Sequence, residues 1–245
     1  MNFFHQVVSY FGDAANWTGP TGIPTLFYRQ FILSASVIAV AIVLGGGAGV
    51  VFGHTGRGSL VAVNAANAFR AVPSLALLTL LAISPQISLK WGGFLASFIA
   101  LTVLAVPPIL TNTYVGIREV DADVTDAARA MGLRGWQIMG RVELPLALPF
   151  IVAGIRTAAI EVVATSTLAA YVSYSDLGTP LLAGLSSNNS VEAFCASLLV
   201  ILLAALFAVA LGLLQRAVTP AGLRHHRRAG NMLAPAPAVE GAAAA

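Results

Sequence analysis

Three ionisable side chains lie inside long apolar stretches of this sequence: Arg70, Arg156 and Glu161. Such groups usually face a water-filled cavity or pair with an opposite charge, because an isolated charge in lipid is costly. Glu161 is therefore a candidate for shaping a polar pathway, for attracting a cationic or zwitterionic solute, or for pairing with Arg70 from another helix. Arg70 could equally line a pathway or reach a headgroup, whereas Arg156 is expected to extend to the membrane surface.

The sequence contains no pattern typical of a catalytic or metal site. Its one lysine, Lys90, stands between Leu89 and Trp91, whereas a phosphate-binding loop requires Gly-Lys-Ser/Thr. Its one cysteine, Cys195, excludes an intrachain disulfide and a cysteine-based zinc site. We therefore expect no catalytic residue, no resident metal and no cofactor on this chain, so energy for any active process must come from a partner or an ion gradient.

Composition indicates the elements that must position these charges. The chain has 245 residues, of which 58% are hydrophobic and 9% are charged, against about 25% charged residues in a soluble domain. This excludes a soluble enzyme or nucleic-acid binder and predicts a polytopic membrane protein. The spans must be helices, since each has to satisfy its own backbone hydrogen bonds in lipid. The all-α prediction has five spans, at about 30–53, 59–83, 92–114, 148–172 and 193–214.

Two kinds of residue within these spans have predictable effects on packing. Proline at 73, 107 and 108 should kink or break the second and third spans, and Pro73 and Pro107 therefore join Arg70 and Glu161 as candidates for lining a pathway. Glycine at 45, 49 and 53 forms one small-residue face of the first span. Such a face allows close helix approach, either within the chain or across a dimer.

Positively charged residues set the orientation. Nine Arg residues fall on one side of the predicted membrane, against Arg29 and Lys90 on the other, which places the C-terminus in the cytoplasm and the N-terminus outside. Residues 1–29 then form an extracytoplasmic segment, in which apolar residues from Phe3 to Phe11 recur at helical spacing and predict a short helix on the membrane surface. Residues 30–215 form the transmembrane domain, and the basic, Ala/Pro-rich tail at 216–245 is expected to be disordered in the cytoplasm.

The long cytoplasmic loop, about 116–147, is the most informative stretch. Asp121 and Asp123 favour a helix start, and Gly132 favours its end. A second short helix is expected at about 135–141, where it would present Trp136. Apolar residues that the membrane does not require usually mark a docking site, so the loop is predicted to bind another protein.

This loop resembles the "EAA" loop of binding-protein-dependent ABC importer permeases, whose pattern is Glu-Ala-Ala-x3-Gly-x9-Ile-x-Leu-Pro. Asp replaces the first Glu, and Val replaces Ile. The matching positions here are Asp126, Ala127, Ala128, Gly132, Val142, Leu144 and Pro145. Further stretches are similar to permeases of glycine betaine, choline and related osmoprotectants: Asn16–Pro20, His54–Gly58, Asn67–Leu75, Ala164–Tyr171 and an outer-loop segment with Leu177, Gly178, Gly184 and Leu185.

The resemblance implies a type I ABC importer permease fold in a bacterial inner membrane. It implies a second permease subunit, identical or different, and two copies of an ATP-binding subunit, which would use ATP and Mg and would each hold one loop helix. An extracytoplasmic binding protein would deliver the solute, and nucleic acid is not an expected partner. In this picture the loop motif and Trp136 contact the ATPase.

Other functions stay open at this level. A gradient-driven secondary transporter or channel would have more intramembrane charges or an inverted repeat, and no repeat is found in the sequence. A membrane scaffold has no specific feature in its favour. Within the ABC importers, an amino acid such as methionine, or an organic anion, is an alternative cargo to an osmoprotectant.

Overall fold

The structure is a computed structural model that describes residues 2–56, 64, 68, 71–85, 87 and 93–219. Within these residues every regular element is helical, as the sequence predicts. The α-helices are α1 (Phe3–Gly12), α2 (Ile23–Ala41), α3 (Gly47–Thr55), α4 (Ser74–Ile83), α5 (Gly93–Arg118), α6 (Ala122–Ala130), α7 (Gly135–Ile138), α8 (Leu144–Ser166), α9 (Gly178–Ser186) and α10 (Ser190–Val218). Short 3-10 helices cover Ala14–Trp17 and Thr167–Val172, and π-helical turns cover Ile42–Gly46 and Met139–Glu143.

Four helical stretches in the described part of the chain are long and apolar enough to cross a membrane. They are Ile23–Thr55, Gly93–Arg118, Gly135–Val172 and Ser190–Val218. The predicted span at about 59–83 falls largely outside the described residues, and its described part contains the ten-residue apolar helix α4. The remaining four predicted spans each correspond to one of these stretches, although the helices extend further than the apolar runs.

The first span shows why the helices are longer than predicted. It begins at Ile23 rather than near residue 30, because Pro24 occupies the first turn, where its missing N–H costs no hydrogen bond. Through the π-helical turn it continues into α3 for 33 residues, or about 50 Å at the rise of an α-helix. The predicted boundary between an extracytoplasmic segment at 1–29 and the membrane domain therefore lies inside a continuous helix.

The core is built from three helices, α2, α5 and α8. Buried residues from these helices, including Leu33, Ile109 and Val162, form one cluster. The central helix is α5. In its most apolar 18-residue stretch 67% is buried, whereas in the corresponding stretch of α10 the buried share is 11%. The exposed large apolar side chains along α10, such as Ile201, Leu206 and Leu213, suit a helix that faces lipid or a second subunit.

The small-residue face of the first span packs inside the chain. A Cβ added at Gly49 would lie 2.6 Å from Thr113 Cβ, and one at Gly53 would lie 2.7 Å from Ile117 Cβ. One at Gly45 would lie 2.8 Å from a backbone oxygen of the same helix, α5. Of the two alternatives that the sequence leaves open, the structure therefore selects close packing of α3 and its preceding turn against α5.

The prolines behave differently from one another. The expected break occurs at Pro73, which is exposed and extended and directly precedes α4. Pro107 and Pro108, by contrast, are buried inside α5, which continues through both as a 26-residue helix. The helix is therefore not broken at these two prolines, and the prediction of a break there is wrong. Packing from α2, α3 and α8 holds the helix where local hydrogen bonds are missing.

A buried polar cluster joins α2 and α8 to the segment that precedes α9. Gln30 donates through Nε2 to the Val163 carbonyl at 3.0 Å and accepts through Oε1 from the Leu177 N–H at 3.2 Å. Beside it, Asp176 accepts through Oδ1 from the Gly178 N–H at 2.8 Å. Asp176 is fully buried, and its Oδ2 finds no hydrogen-bond partner in the described part of the chain. Burial raises the pKa of Asp176 from 3.8 to about 7, against the opposing effect of the Gly178 N–H.

This shift predicts how stability depends on pH. The native state holds a proton on Asp176 more tightly than the unfolded chain, so the free energy of unfolding should fall as pH rises from about 4 to 7, by on the order of 4 kcal/mol. Asp176→Asn should remove this dependence, because its side chain does not ionise. Thermal unfolding of the detergent-solubilised protein at about pH 5 and pH 8 measures the effect. A wild-type Tm that falls no more than that of the Asn variant contradicts it.

Candidate docking surface

The loop between α5 and α8 begins with α6, which is nine residues long and fixed by local interactions. Asp121 caps its first turn, where the carboxylate accepts from the Asp123 N–H at 2.9 Å. Asp126 and Arg129 form a surface ion pair at 2.8 Å, one turn apart on the exposed side. The motif position Ala128 is buried, whereas Ala127 is exposed. One small residue therefore packs α6 onto the rest of the loop while its neighbour faces outward.

Gly132 ends α6 in a way that few other residues allow. Its φ is +85°, in the left-handed region that L side chains rarely adopt. The Gly132 N–H donates to the Arg129 carbonyl at 2.9 Å, and the Leu133 N–H donates to the Ala128 carbonyl at 3.2 Å. This pair of bonds is a Schellman motif, which satisfies the last carbonyls of the helix and turns the chain sharply. The glycine of the motif is thus explained by backbone geometry.

The second short helix predicted at about 135–141 is not a separate element. α7 covers only Gly135–Ile138 and continues through the π-helical turn Met139–Glu143 into α8. The Leu144 N–H donates to the Met139 carbonyl, five residues back, directly before Pro145. Because Pro145 has no N–H to continue an α-helical pattern, the wider turn lets the helix run through this position without a break.

The loop exposes a set of large apolar side chains. Val124 is 44% exposed, Met131 is 75% exposed and Trp136 is 65% exposed. Ile138 next to them is fully buried and fixes α7 to the body. We call Val124, Met131 and Trp136 the docking patch. Apolar surface on a polar loop usually marks a contact with another protein, and aromatic side chains with a polar edge are common at such contacts.

The remaining motif positions differ in their exposure. Val142 and Leu144 are half-buried, and Leu144 packs against the helical core, whereas Pro145 is exposed. Glu143, between Val142 and Leu144, is only 7% exposed and meets His54 from α3 at 2.6 Å. Sequence reasoning did not identify this pair, nor Gln30 and Asp176. The sequence does offer a signal for Gln30, which is a polar residue in an apolar run. No sequence pattern connects His54 to Glu143, because they are 89 residues apart.

The pathway candidates do not form one cluster. Arg70 lies outside the described residues, and Pro73 is exposed at the start of α4. Pro107 is buried in the core, and Glu161 is half-buried near the middle of α8. Near α4 a cavity of about 310 Å³ lies between Thr79, Gly93 and Tyr171, among others. Of the described candidates, Glu161 and Pro73 therefore retain surface that another molecule could reach.

Comparison with known proteins identifies the family. A family described as "Binding-protein-dependent transport system inner membrane component" matches residues 29–222. The carnitine transport permease protein OpuCB of Listeria monocytogenes is 31% identical over 203 residues, which cover 83% of this chain and 91% of that protein. The osmoprotectant import permease protein OsmW of Salmonella typhimurium is 30% identical over 204 residues, covering 82% of this chain and 94% of OsmW.

A solved structure extends this likeness to three dimensions. The MetNI methionine ABC transporter in an inward-facing conformation contains a chain that matches with a TM-score of 0.68 and 27% identity, over 79% of this chain and 94% of that one. The fold is therefore that of a type I ABC importer permease, as expected from the loop. The match over residues 29–222 covers three of the four described spans completely and the first from residue 29 onward, and the chain accordingly belongs to the family of inner-membrane components of binding-protein-dependent transport systems.

Proposed function

We propose that this chain is the membrane-spanning permease subunit of an ATP-driven importer, and that its long loop binds a separate ATP-binding subunit. The observation that carries the proposal is the docking patch, which exposes Met131 and Trp136 on a loop whose first helix, α6, is ended by Gly132. A short helix presenting apolar residues to a groove is a common mode of protein recognition. ATP and Mg then belong to the partner subunit, and this chain supplies the pathway.

The assembly that follows has this chain in a pair of permeases, identical or different, above two ATP-binding subunits. The docking patch faces the cytoplasm, in agreement with the arginines around it, and the N-terminus lies outside. α1 then lies on the outer side, where its Phe3 ring contacts Phe194 of α10 edge to face at a centroid distance of 5.3 Å. An extracytoplasmic binding protein delivers the solute to this outer side.

The proposed cargo is a small quaternary ammonium osmoprotectant, such as glycine betaine, choline or carnitine. Support comes from the relatives, among which a Bacillus subtilis protein named as a glycine betaine/carnitine/choline permease is 31% identical over 196 residues. An amino acid is the second candidate, because the matching solved structure is a methionine transporter. The identity is higher for the osmoprotectant permeases, which favours the first.

Two measurements test the proposal. The first is purification of the tagged chain from its host membrane, where an ATP-binding subunit should be recovered with it. The second is uptake of radiolabelled glycine betaine, choline, carnitine and methionine by host cells with and without the gene. Absence of an ATP-binding subunit contradicts the docking proposal. If loss of the gene abolishes uptake of methionine but not of the other three solutes, the proposed cargo becomes an amino acid instead of an osmoprotectant.

Among the proposed pathway residues that the structure describes, Glu161 is the ionisable one. Glu161→Gln removes a negative charge at nearly constant volume, so uptake of a cationic solute should fall by about tenfold if the carboxylate attracts it. The matched control is Thr157→Val, one turn earlier in α8, because the one hydrogen bond of the Thr157 hydroxyl to the described residues is to the Ala153 carbonyl of its own helix. Equal uptake by wild type and Glu161→Gln rejects the pathway role.

A further inference from the structure

His54 stands at a fixed end of the first span. It lies in the last turn of α3, which ends at Gly56 with φ of +65° and a hydrogen bond from the Gly56 N–H to the Phe52 carbonyl at 2.9 Å. One residue before it, Gly53 packs directly on Ile117 of α5. The His54 imidazole therefore projects from a backbone that both a cap and a neighbouring helix hold in place.

The partner of His54 lies in the loop motif. Its Nδ1 is 2.6 Å from Oε2 of Glu143, whose residue is 7% exposed. Glu143 closes the π-helical turn between α7 and α8. The two atoms are within hydrogen-bond distance, and a hydrogen bond to a carboxylate is stronger than one between neutral groups.

The same imidazole also covers the other end of this segment. A Cβ built on Gly135 would lie 3.5 Å from His54 Nε2, which is ordinary van der Waals contact. One side chain from the first span thus contacts the last residue of the turn, and it also stands where a side chain added at the first residue of α7 would meet it. Trp136 of the docking patch directly follows Gly135 in the chain.

The contact differs in kind from the other ion pair of the loop. Asp126 and Arg129 are three residues apart and 63–68% exposed, so their interaction stays within one turn of α6 and is worth little. His54 and Glu143 are 89 residues apart, and Glu143 is buried. A displacement of α7 by a bound partner must therefore either move the end of α3 or separate the pair.

We propose that His54 is a positioning residue for energy coupling, which links movement of the docking patch to the first span through Glu143. This inference depends on the proposed function of the loop. His54 contacts neither solute nor ATP in this scheme. It acts because a buried, charge-assisted contact has a well-defined geometry, so that two packed elements move together rather than independently.

The test separates docking from coupling. His54→Ala is compared with wild type in proteoliposomes that contain the co-purified ATP-binding subunit and the solute-loaded binding protein. Recovery of the ATP-binding subunit should be unchanged, because the docking patch is intact. The ratio of solute transported to ATP hydrolysed should fall by about tenfold. Thr55→Ala is the matched control, since within the described part of the chain the exposed Thr55 hydroxyl bonds only the Val51 carbonyl of its own helix.

A second variant covers the case in which His54→Ala does not fold. Glu143→Gln keeps the buried volume and a hydrogen-bond acceptor but removes the charge, and it should lower the same ratio by about threefold. An unchanged ratio in either folded variant overturns the inference while leaving the docking function intact. Loss of ATPase recovery in His54→Ala also overturns it, since the residue would then only maintain the loop. Failure of the wild-type chain to recover an ATP-binding subunit rejects the docking function itself.

Discussion

Gly132→Val is expected to weaken capture of the ATP-binding subunit by about thirtyfold, because a left-handed residue other than glycine costs about 2 kcal/mol. A Cβ at this position meets no atom within 4 Å, so the effect is conformational and not steric. A β-branched side chain is least compatible with φ of +85°. The Schellman motif would open, and α6 would lose its fixed direction relative to Trp136. Pull-down of the ATP-binding subunit by detergent-solubilised chain measures the loss.

The matched control is Gly132→Asn at the same position. Asparagine tolerates the left-handed region better than any β-branched residue, so capture should stay within about threefold of wild type. Both variants should insert into the membrane in wild-type amounts, since Gly132 lies outside the described spans. Equal loss in both variants would indicate that the space at Gly132 matters and not its φ, and would contradict this account of the motif glycine.

Gly49→Val is expected to destabilise the folded chain by about 3 kcal/mol, or to prevent its accumulation, because the core has no room for a side chain there. A Cβ would lie 2.6 Å from Thr113 Cβ and 2.8 Å from the Leu110 carbonyl oxygen of α5. The latter is backbone and cannot rotate away, so α3 must separate from α5. The Tm of the detergent-solubilised variant, measured by size-exclusion chromatography after heating, should be lower than that of wild type.

Gly47→Ala on the same helix is the control. A Cβ at Gly47 meets nothing within 4 Å, and alanine favours a helix over glycine by about 1 kcal/mol. Its Tm should therefore equal or exceed that of wild type. Wild-type stability in Gly49→Val would show that α3 and α5 are less closely packed than the structure has them.

The loop illustrates how much a local pattern can predict. Asp121, Gly132 and the exposed Trp136 follow from capping rules and helical spacing, which involve neighbours in the chain. The structure places a helix start, a left-handed glycine and an exposed apolar residue at these positions. The second helix begins at Gly135 as predicted, but it does not end near residue 141. A π-helical turn joins it to α8, which has Pro145 in its first turn, and local spacing does not predict this turn.

Other features depended on residues distant in the sequence. Helical spacing alone shows that Gly49 and Gly53 share a face, but it does not show whether that face meets α5 or a second subunit. Likewise, apolar flanks predict that Pro107 is in a span, whereas its burial within an unbroken helix depends on the helices packed around it.

By itself, the sequence determined the membrane class, the helical elements, the family and the position of the loop that carries the family motif. These depend on composition, periodicity and a motif of twenty consecutive positions, all of which are local along the chain. Only the tertiary structure decided that the glycine face closes on α5, that Asp176 is buried beside Gln30, and that His54 meets Glu143. The physical reason is that close packing, burial and a hydrogen bond each depend on which distant segments meet, and composition and spacing leave that undetermined.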